Sequence, residues 1–171
     1  GAENARVSLH LISVATGART NVALGGLWEY LNSVSWSSAG LIAQTQTRDQ
    51  KRIDIHRVDT STGTSLIEFT DTDDAWVELV PGVPVLTANN DLLTCADRNG
   101  VRRILRNGSP ATPDHLQVRS VVTAGASTVF LANHLDTPWI QDAYAVDESG
   151  NVQQLTNAAG VVSVSGTLQC F

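Results

Sequence analysis

Apolar residues recur two apart in short runs along the chain, as in Val7/Leu9/Leu11, Ile53/Ile55 and Tyr144/Val146. That period places side chains on alternate faces of an extended strand, with one face buried. Clusters of turn-forming residues interrupt the runs about every ten residues. Long helical periodicity is missing. The segment from Ala15 to Ala23 carries Gly17 and β-branched residues and reads as a hairpin. The pattern predicts an all-β chain.

The hairpins repeat. Leu11-Ile12-Ser13-Val14-Ala15-Thr16-Gly17, His56-Arg57-Val58-Asp59-Thr60-Ser61-Thr62-Gly63 and Tyr144-Ala145-Val146-Asp147-Glu148-Ser149-Gly150 each run an apolar strand into a glycine turn. Asp97-Arg98-Asn99-Gly100 or Arg106-Asn107-Gly108 fills the slot between the second and third. Taken with Gly108, the glycines at 17, 63, 108 and 150 lie 46, 45 and 42 residues apart. A repeat of this length holding four short strands is the pattern of propeller blades. The expected fold is therefore a partial β-propeller of about three four-stranded antiparallel blades with half-blades at each end. Residues 6–25 form a half-blade, 30–71, 76–113 and 117–157 full blades, and 160–171 the start of the next. Within the first full blade, strands are expected near 32–36, 41–47, 52–58 and 65–69. A sandwich also has short, evenly spaced strands, but the repeat argues against it.

Composition narrows the function classes. The chain has 171 residues, no methionine and a Gly1-Ala2 start, which points to a processed form or an excised internal segment. Net charge is −6 and the 11 basic residues are thinly spread, so no stripe suited to a phosphate backbone is present and no nucleic-acid partner is expected. No apolar run approaches the ~18–20 residues that cross a bilayer, and no membrane partner is expected. Cys95 and Cys170 are far apart, and buried thiols are the simpler reading than a disulfide. Asn107-Gly108-Ser109 is a glycosylation sequon of a kind that arises often by chance.

Particular stretches carry a family likeness. Tyr30-Leu31-Asn32-Ser33-Val34-Ser35-Trp36 followed by Leu41-Ile42-Ala43-Gln44-Thr45-Gln46-Thr47-Arg48-Asp49-Gln50 joins a strand ending in Trp to a strand running into an Arg-Asp-Gln turn. Ile53-Asp54-Ile55-His56-Arg57-Val58-Asp59 with Thr62-Gly63 gives an Asp, Thr-Gly hairpin, and Asp74-Ala75-Trp76-Val77-Glu78-Leu79 a Trp-Val-Glu blade opening. Val129-Phe130-Leu131-Ala132 and Val152-Gln153-Gln154-Leu155-Thr156 complete the series. Over about residues 28–165 the chain resembles the N-terminal β-propeller of dipeptidyl peptidase IV-like enzymes in the prolyl oligopeptidase family of serine peptidases. It departs at Cys95-Ala96-Asp97-Arg98-Asn99-Gly100, at Val101-Arg102-Arg103-Ile104-Leu105 and at Pro113-Asp114-His115-Leu116-Gln117-Val118. The residues read as structural blade markers are Trp36, Arg48, Asp49, Asp59, Gly63, Trp76 and Gly150.

Such peptidases are implied to remove two residues, often ending in proline, from a peptide's N-terminus. They use a serine on a Gly-x-Ser-x-Gly elbow, and a glutamate pair that grips the substrate's ammonium. In this chain Gly125-Ala126-Ser127-Thr128-Val129 lacks the closing glycine, and Glu3, Glu29, Glu68, Glu78 and Glu148 are scattered. The resemblance therefore implies a non-catalytic segment that gates peptide access and scaffolds a hydrolase domain of the parent chain. No catalytic residue, cofactor or metal ligand is assigned. Asp71-Thr72-Asp73-Asp74 lacks the glycine and distal glutamate of a calcium loop and reads as an inter-blade turn. His10, His56, His115 and His134 share no metal-ligand spacing. Trp28, Trp36, Trp76 and Trp139 stand at blade starts, where packing between neighbouring sheets is expected ahead of carbohydrate stacking. Arg48 and Asp49 are expected to form a structural pair. A free-standing propeller that binds a protein or glycan is the alternative reading, and a small β enzyme of another type is disfavoured. Open blade edges can be closed by pairing 160–171 with 6–25 in one chain, as a strained four-bladed ring, or by joining two copies, and self-association of the segment is expected.

Overall fold

In the computed structural model, residues 5–157 and 159–165 are described, and no helix occurs among them. The strands are β1 (Leu9–Ile12), β2 (Arg19–Val22), β3 (Tyr30–Ser37), β4 (Gly40–Gln46), β5 (Arg52–Val58), β6 (Ser65–Thr72) and β7 (Val85–Leu86). They continue with β8 (Leu92–Arg98), β9 (Val101–Arg106), β10 (Ser109–Pro110), β11 (Leu116–Ala124), β12 (Ser127–His134), β13 (Thr137–Asp147) and β14 (Val152–Gln154). Chain contacts divide into two compact units, Gly1–Val77 and Glu78–Phe171.

The first unit holds the β1–β2 hairpin and a four-stranded antiparallel sheet in the order β3-β4-β5-β6. Strand β4 is buried almost throughout, as is β5 apart from Arg52 and Arg57, and the polar Gln44, Thr45, Gln46, Asp54 and His56 are buried with the aliphatic residues because these central strands are covered on both faces. The edge strand β6 is mostly exposed, with Asp71 buried. Hairpin and sheet share a small core of Val22, Leu41 and Val58, joined by Leu9, Leu11 and Leu24. Ala23 makes a parallel bridge to Thr64, with Ala23 N donating to Gly63 O at 2.8 Å.

The second unit holds two four-stranded antiparallel sheets, β7-β8-β9-β10 and β11-β12-β13-β14. Leu93, Cys95 and Ile104 of the first meet Leu116, Val118, Phe130, Ala132 and Val146 of the second in one core. Phe130 and Tyr144 stack at 5.6 Å between ring centroids. Each fully buried Leu, Ile, Val or Phe stabilises by about 1.5–3 kcal/mol, so this core is the main thermodynamic support of the unit. Residues 160–162, at the start of the segment the sequence pattern assigns to a following blade, run alongside β13. Val161 bridges Gln141 in parallel, with Gln141 N donating to Gly160 O (3.0 Å) and Val162 N to Gln141 O (2.9 Å). Positions 166–171 of that expected strand, and Cys170 with them, lie outside the described residues.

The glycine repeat has a structural meaning. Gly17, Gly63, Gly108 and Gly150 close β1–β2, β5–β6, β9–β10 and β13–β14, in each full sheet the hairpin leading to its last strand. Gly108 rather than Gly100 is therefore the third member. The first two turns are also alike in detail. Ser13 N donates to Ala18 O and Gly17 N to Ser13 O; Asp59 N donates to Thr64 O and Gly63 N to Asp59 O. Gly63 has φ +76°, and a Cβ there would overlap the Asn21 carbonyl oxygen of the docked hairpin. Gly82 (φ +86°) is tighter still, because a Cβ would overlap the Val121 carbonyl. Gly150 shares the conformation but has open space around it.

Gly150→Ala is thus expected to cost only the backbone strain of a left-handed alanine, about 1–2 kcal/mol. Gly63→Ala and Gly82→Ala add displacement of a packed backbone and should each cost about 3 kcal/mol or more. Urea midpoints of the three variants check the order.

Candidate functional site

A polar position recurs in each four-stranded sheet on its third strand. In the first sheet it is Asp54 on β5, buried, opposite Thr70 on β6. Thr70 Oγ1 donates to Asp54 Oδ1 at 2.6 Å, and the Arg52 guanidinium lies 2.9 Å from the same oxygen. In the third it is Asp142 on β13, also buried, which accepts from Thr156 Oγ1 (2.7 Å) and Gln154 Nε2 (3.1 Å). Thr156 Oγ1 accepts in turn from Ala143 N at 2.9 Å. In the second sheet Thr112 Oγ1 accepts from Ile104 N at 3.1 Å in the same way, which puts Arg103 where the aspartates stand. Arg103 Nε donates to Thr112 O at 2.6 Å. Two carboxylates and one guanidinium thus occupy equivalent sites, each satisfied by a threonine on the following segment. A buried charge persists only when so paired.

Beside Asp142 a cleft of ≈ 200 Å³ is lined by His134, Thr137, Ile140, Tyr144, Gln154 and Asn157. It offers hydrogen-bonding groups, but its carboxylate is already committed to Thr156 and Gln154. Burial, followed by the charge of Asp142, pushes the Tyr144 phenol upward, so it stays protonated. Ser127, the nearest approach to an elbow serine, opens β12, and its hydroxyl donates to Val146 O at 3.4 Å. It sits on a strand in a sheet rather than on a strand-to-helix turn.

The sequence-selected residues fall mainly into turns. Asp49 Oδ1 accepts from Thr47 Oγ1 (2.6 Å) and Lys51 N (3.2 Å), and the Thr47 bond holds its carboxyl below the ordinary value. The expected Arg48–Asp49 pair is not formed among the described residues. Arg48 engages through its backbone N–H, which donates to Glu29 Oε2 at 2.8 Å. Asp59 likewise folds its own turn, accepting from Ser61 Oγ and Ser61 N, and its pKa is lowered chiefly by the hydroxyl. Asp73 Oδ1 accepts from Ala75 N and Trp76 N, and Asp71 lies buried in β6 opposite Ile53. The Asp71–Asp74 stretch is a strand end and a turn. Rings of His115 and His134 approach to 5.1 Å, while His10 bonds Ser8. No group of three or more His, Cys, Asp or Glu stands ready for a metal among the described residues.

The tryptophans require a correction. Trp36, Trp76 and Trp139 are 65%, 61% and 67% exposed, and Trp28 is half-buried. The three exposed ones occupy an edge strand (Trp36), the turn after β6 (Trp76) and the hairpin end of β13 (Trp139). Packing between sheets falls instead to aliphatic residues and Phe130. Cys95 is free and buried, and desolvation pushes its thiol up to about 12, an unreactive environment.

Three four-stranded sheets thus share a polar third-strand station and a glycine turn before the last strand. Residues 1–169 match the model described as dipeptidyl peptidase IV (DPP IV) N-terminal region. The chain belongs to this family. Crystal structures agree on the fold. That of Porphyromonas gingivalis dipeptidyl peptidase 4 is similar at TM-score 0.73 and 19% identity, over 90% of this chain and 24% of that one. A Bacteroides ovatus protein described as a dipeptidyl aminopeptidase IV is similar at TM-score 0.64 and 14% identity, over 85% of this chain and 25% of that one. The DPP IV N-terminal chain thus spans about a quarter of either structure, and its fold is a partial β-propeller.

Sequence reasoning missed the polar station. Its signal was present: Asp54 lies nine residues before Gly63, and Asp142 eight before Gly150. The change to Arg103 in the second blade hid the repeat. The sequence showed only that His56 lacks metal-ligand spacing; in the structure it is fully buried beside Asp54 on β5, with Nε2 2.9 Å from Thr45 Oγ1 and Nδ1 unbonded. Burial lowers its pKa below 6.5, with Asp54 opposing. The unfolded chain then binds a proton near pH 6.5 that the folded chain does not, so stability falls as pH drops through that value toward the lower folded pKa. His56→Gln should flatten this part of the stability–pH curve, as measured by urea unfolding across mildly acidic pH.

Proposed function

We propose that this chain is the non-catalytic propeller segment of a dipeptidyl peptidase IV-like serine exopeptidase. In that reading it scaffolds a hydrolase domain of the parent chain and restricts access to small peptides. The family match over residues 1–169 carries the reading. Two features of the chain support it: the carboxylates of Asp49, Asp54, Asp59 and Asp142 are engaged in holding turns and sheets, and the serine nearest to an elbow lies within a sheet. The peptide substrates belong to the parent enzyme and need no cofactor in this segment. The blade markers Trp36, Arg48, Asp49, Asp59, Gly63, Trp76 and Gly150 act in this reading through turns and surfaces rather than through chemistry.

The parent protein is expected to release a dipeptide from a chromogenic Xaa-Pro substrate, and the isolated chain to release none. A parent reading frame without a Gly-x-Ser-x-Gly hydrolase domain overturns the assignment. So does turnover by the isolated chain that resists a serine-directed inhibitor.

We further propose that the isolated segment self-associates. Strand β3 ends the sheet order with its outer edge unpaired, and Val34 and Trp36 are exposed two residues apart on one of its faces. An unpaired apolar edge is a template for another strand. Sedimentation at high micromolar concentration should show species larger than a monomer, and Trp36→Lys should shift them toward monomer. A clean monomer at that concentration refutes the idea.

A further inference from the structure

Two Arg-Asn-Gly tripeptides occur in the chain, Arg98-Asn99-Gly100 and Arg106-Asn107-Gly108. Both build the same hairpin tip. Asn99 (φ 56°) and Gly100 (φ 79°) connect β8 to β9, and Asn107 (φ 49°) and Gly108 (φ 80°) connect β9 to β10. Positive φ at both central residues is the type I′ turn that Asn-Gly adopts most readily. Both asparagines are exposed, and neither glycine has a neighbouring atom within 4 Å of where a Cβ would stand. Backbone and solvent access are therefore matched at the two tips.

The carboxamides are not matched. Asn107 Oδ1 accepts from Leu92 N at 2.8 Å, and its Nδ2 donates to Asp91 Oδ1 at 2.7 Å. Asp91 is itself held by Arg106 Nη1 at 2.8 Å. This commitment of Nδ2 also engages the sequon asparagine in the fold. The Asn99 side chain makes no hydrogen bond among the described residues.

We infer that Asn99 is a site of spontaneous backbone modification through a succinimide, and that Asn107 is protected from it. The Gly100 amide nitrogen, after losing its proton to water or hydroxide, attacks Asn99 Cγ. A C–N bond forms, the Cγ–Nδ2 bond breaks, and the amide leaves as ammonia after taking up a proton. One water then opens the ring at either carbonyl, giving aspartate or isoaspartate. The net change is one water consumed and one ammonia released, with no oxidant or cofactor. Glycine at the following position favours attack because no side chain shields its nitrogen and its backbone turns freely. The product places a new negative charge two residues from exposed Asp97. In the isoaspartyl form an extra backbone methylene breaks the two-residue tip between β8 and β9.

The test ages the folded chain in warm, mildly alkaline buffer, digests it with pepsin in acid to suppress reaction during handling, and locates Asn-to-Asp mass gains by fragment mass spectrometry. Asn99 should convert ~10- to 100-fold faster than Asn107, since two hydrogen bonds must break before Asn107 can react. Equal rates, or faster conversion of Asn107, overturn the inference. In concentrated urea, where both tips are unfolded, the two rates should converge. A gap that persists there assigns the difference to flanking residues and also overturns it. Asp91→Ala, with folding verified by circular dichroism, should raise the Asn107 rate toward that of Asn99; an unchanged rate refutes the protective role of the Asp91 bond.

Discussion

A chain of short strands has to pair the backbone N–H and C=O groups of every strand it buries, and no side chain substitutes for that pairing. Here each full set of four strands closes the requirement within its own sheet: β4 and β5, β8 and β9, and β12 and β13 lie inside, with the shorter or more exposed strands at the margins. Everything else follows from that arrangement. The inner strands are free to be apolar on both faces, so Leu41, Ile42, Ile55, Leu93, Ile104, Phe130 and Val146 are excluded from water. The hairpin turns have to be short, because each strand must return at once to its neighbour. Glycine and asparagine at positive φ supply those returns.

The same constraint explains where the charges are. Asp54 and Asp142 are buried and Arg103 half-buried on third strands, where a charge withdrawn from water needs a partner close by. The partner is a threonine on the adjoining segment in all three, although the sign of the charge changes. A position that tolerates either sign, provided its hydrogen bonds are met, acts through geometry. This fits a structural element better than a recognition site, since recognition would depend on the sign.

The strand period, the turn residues and the glycine spacing were all legible in the sequence, because each is a local property. Period-two alternation identifies a strand wherever it sits, and Asp59, Asp147 and Ser13 form their turns with residues at most five positions away. The reading erred where the outcome depends on what lies opposite. Tryptophans at blade starts look like core, yet three project from an edge strand, a turn and a hairpin end. Arg48 and Asp49 look like an ion pair, yet the short Asp49 side chain folds back on its own turn.

What the sequence determined by itself is the all-β character, the repeat and the family, since alternation, positive-φ residues and ordered motifs are written in consecutive residues. Tertiary structure decided which glycines are irreplaceable. Gly63 and Gly150 share a conformation, but only Gly63 has another hairpin's carbonyl against it. It also decided that His56 is buried with one nitrogen unbonded, and that one Arg-Asn-Gly tip is locked by Asp91 while its twin is not. These are properties of distant residues brought within hydrogen-bond or van der Waals range, and no local pattern encodes them.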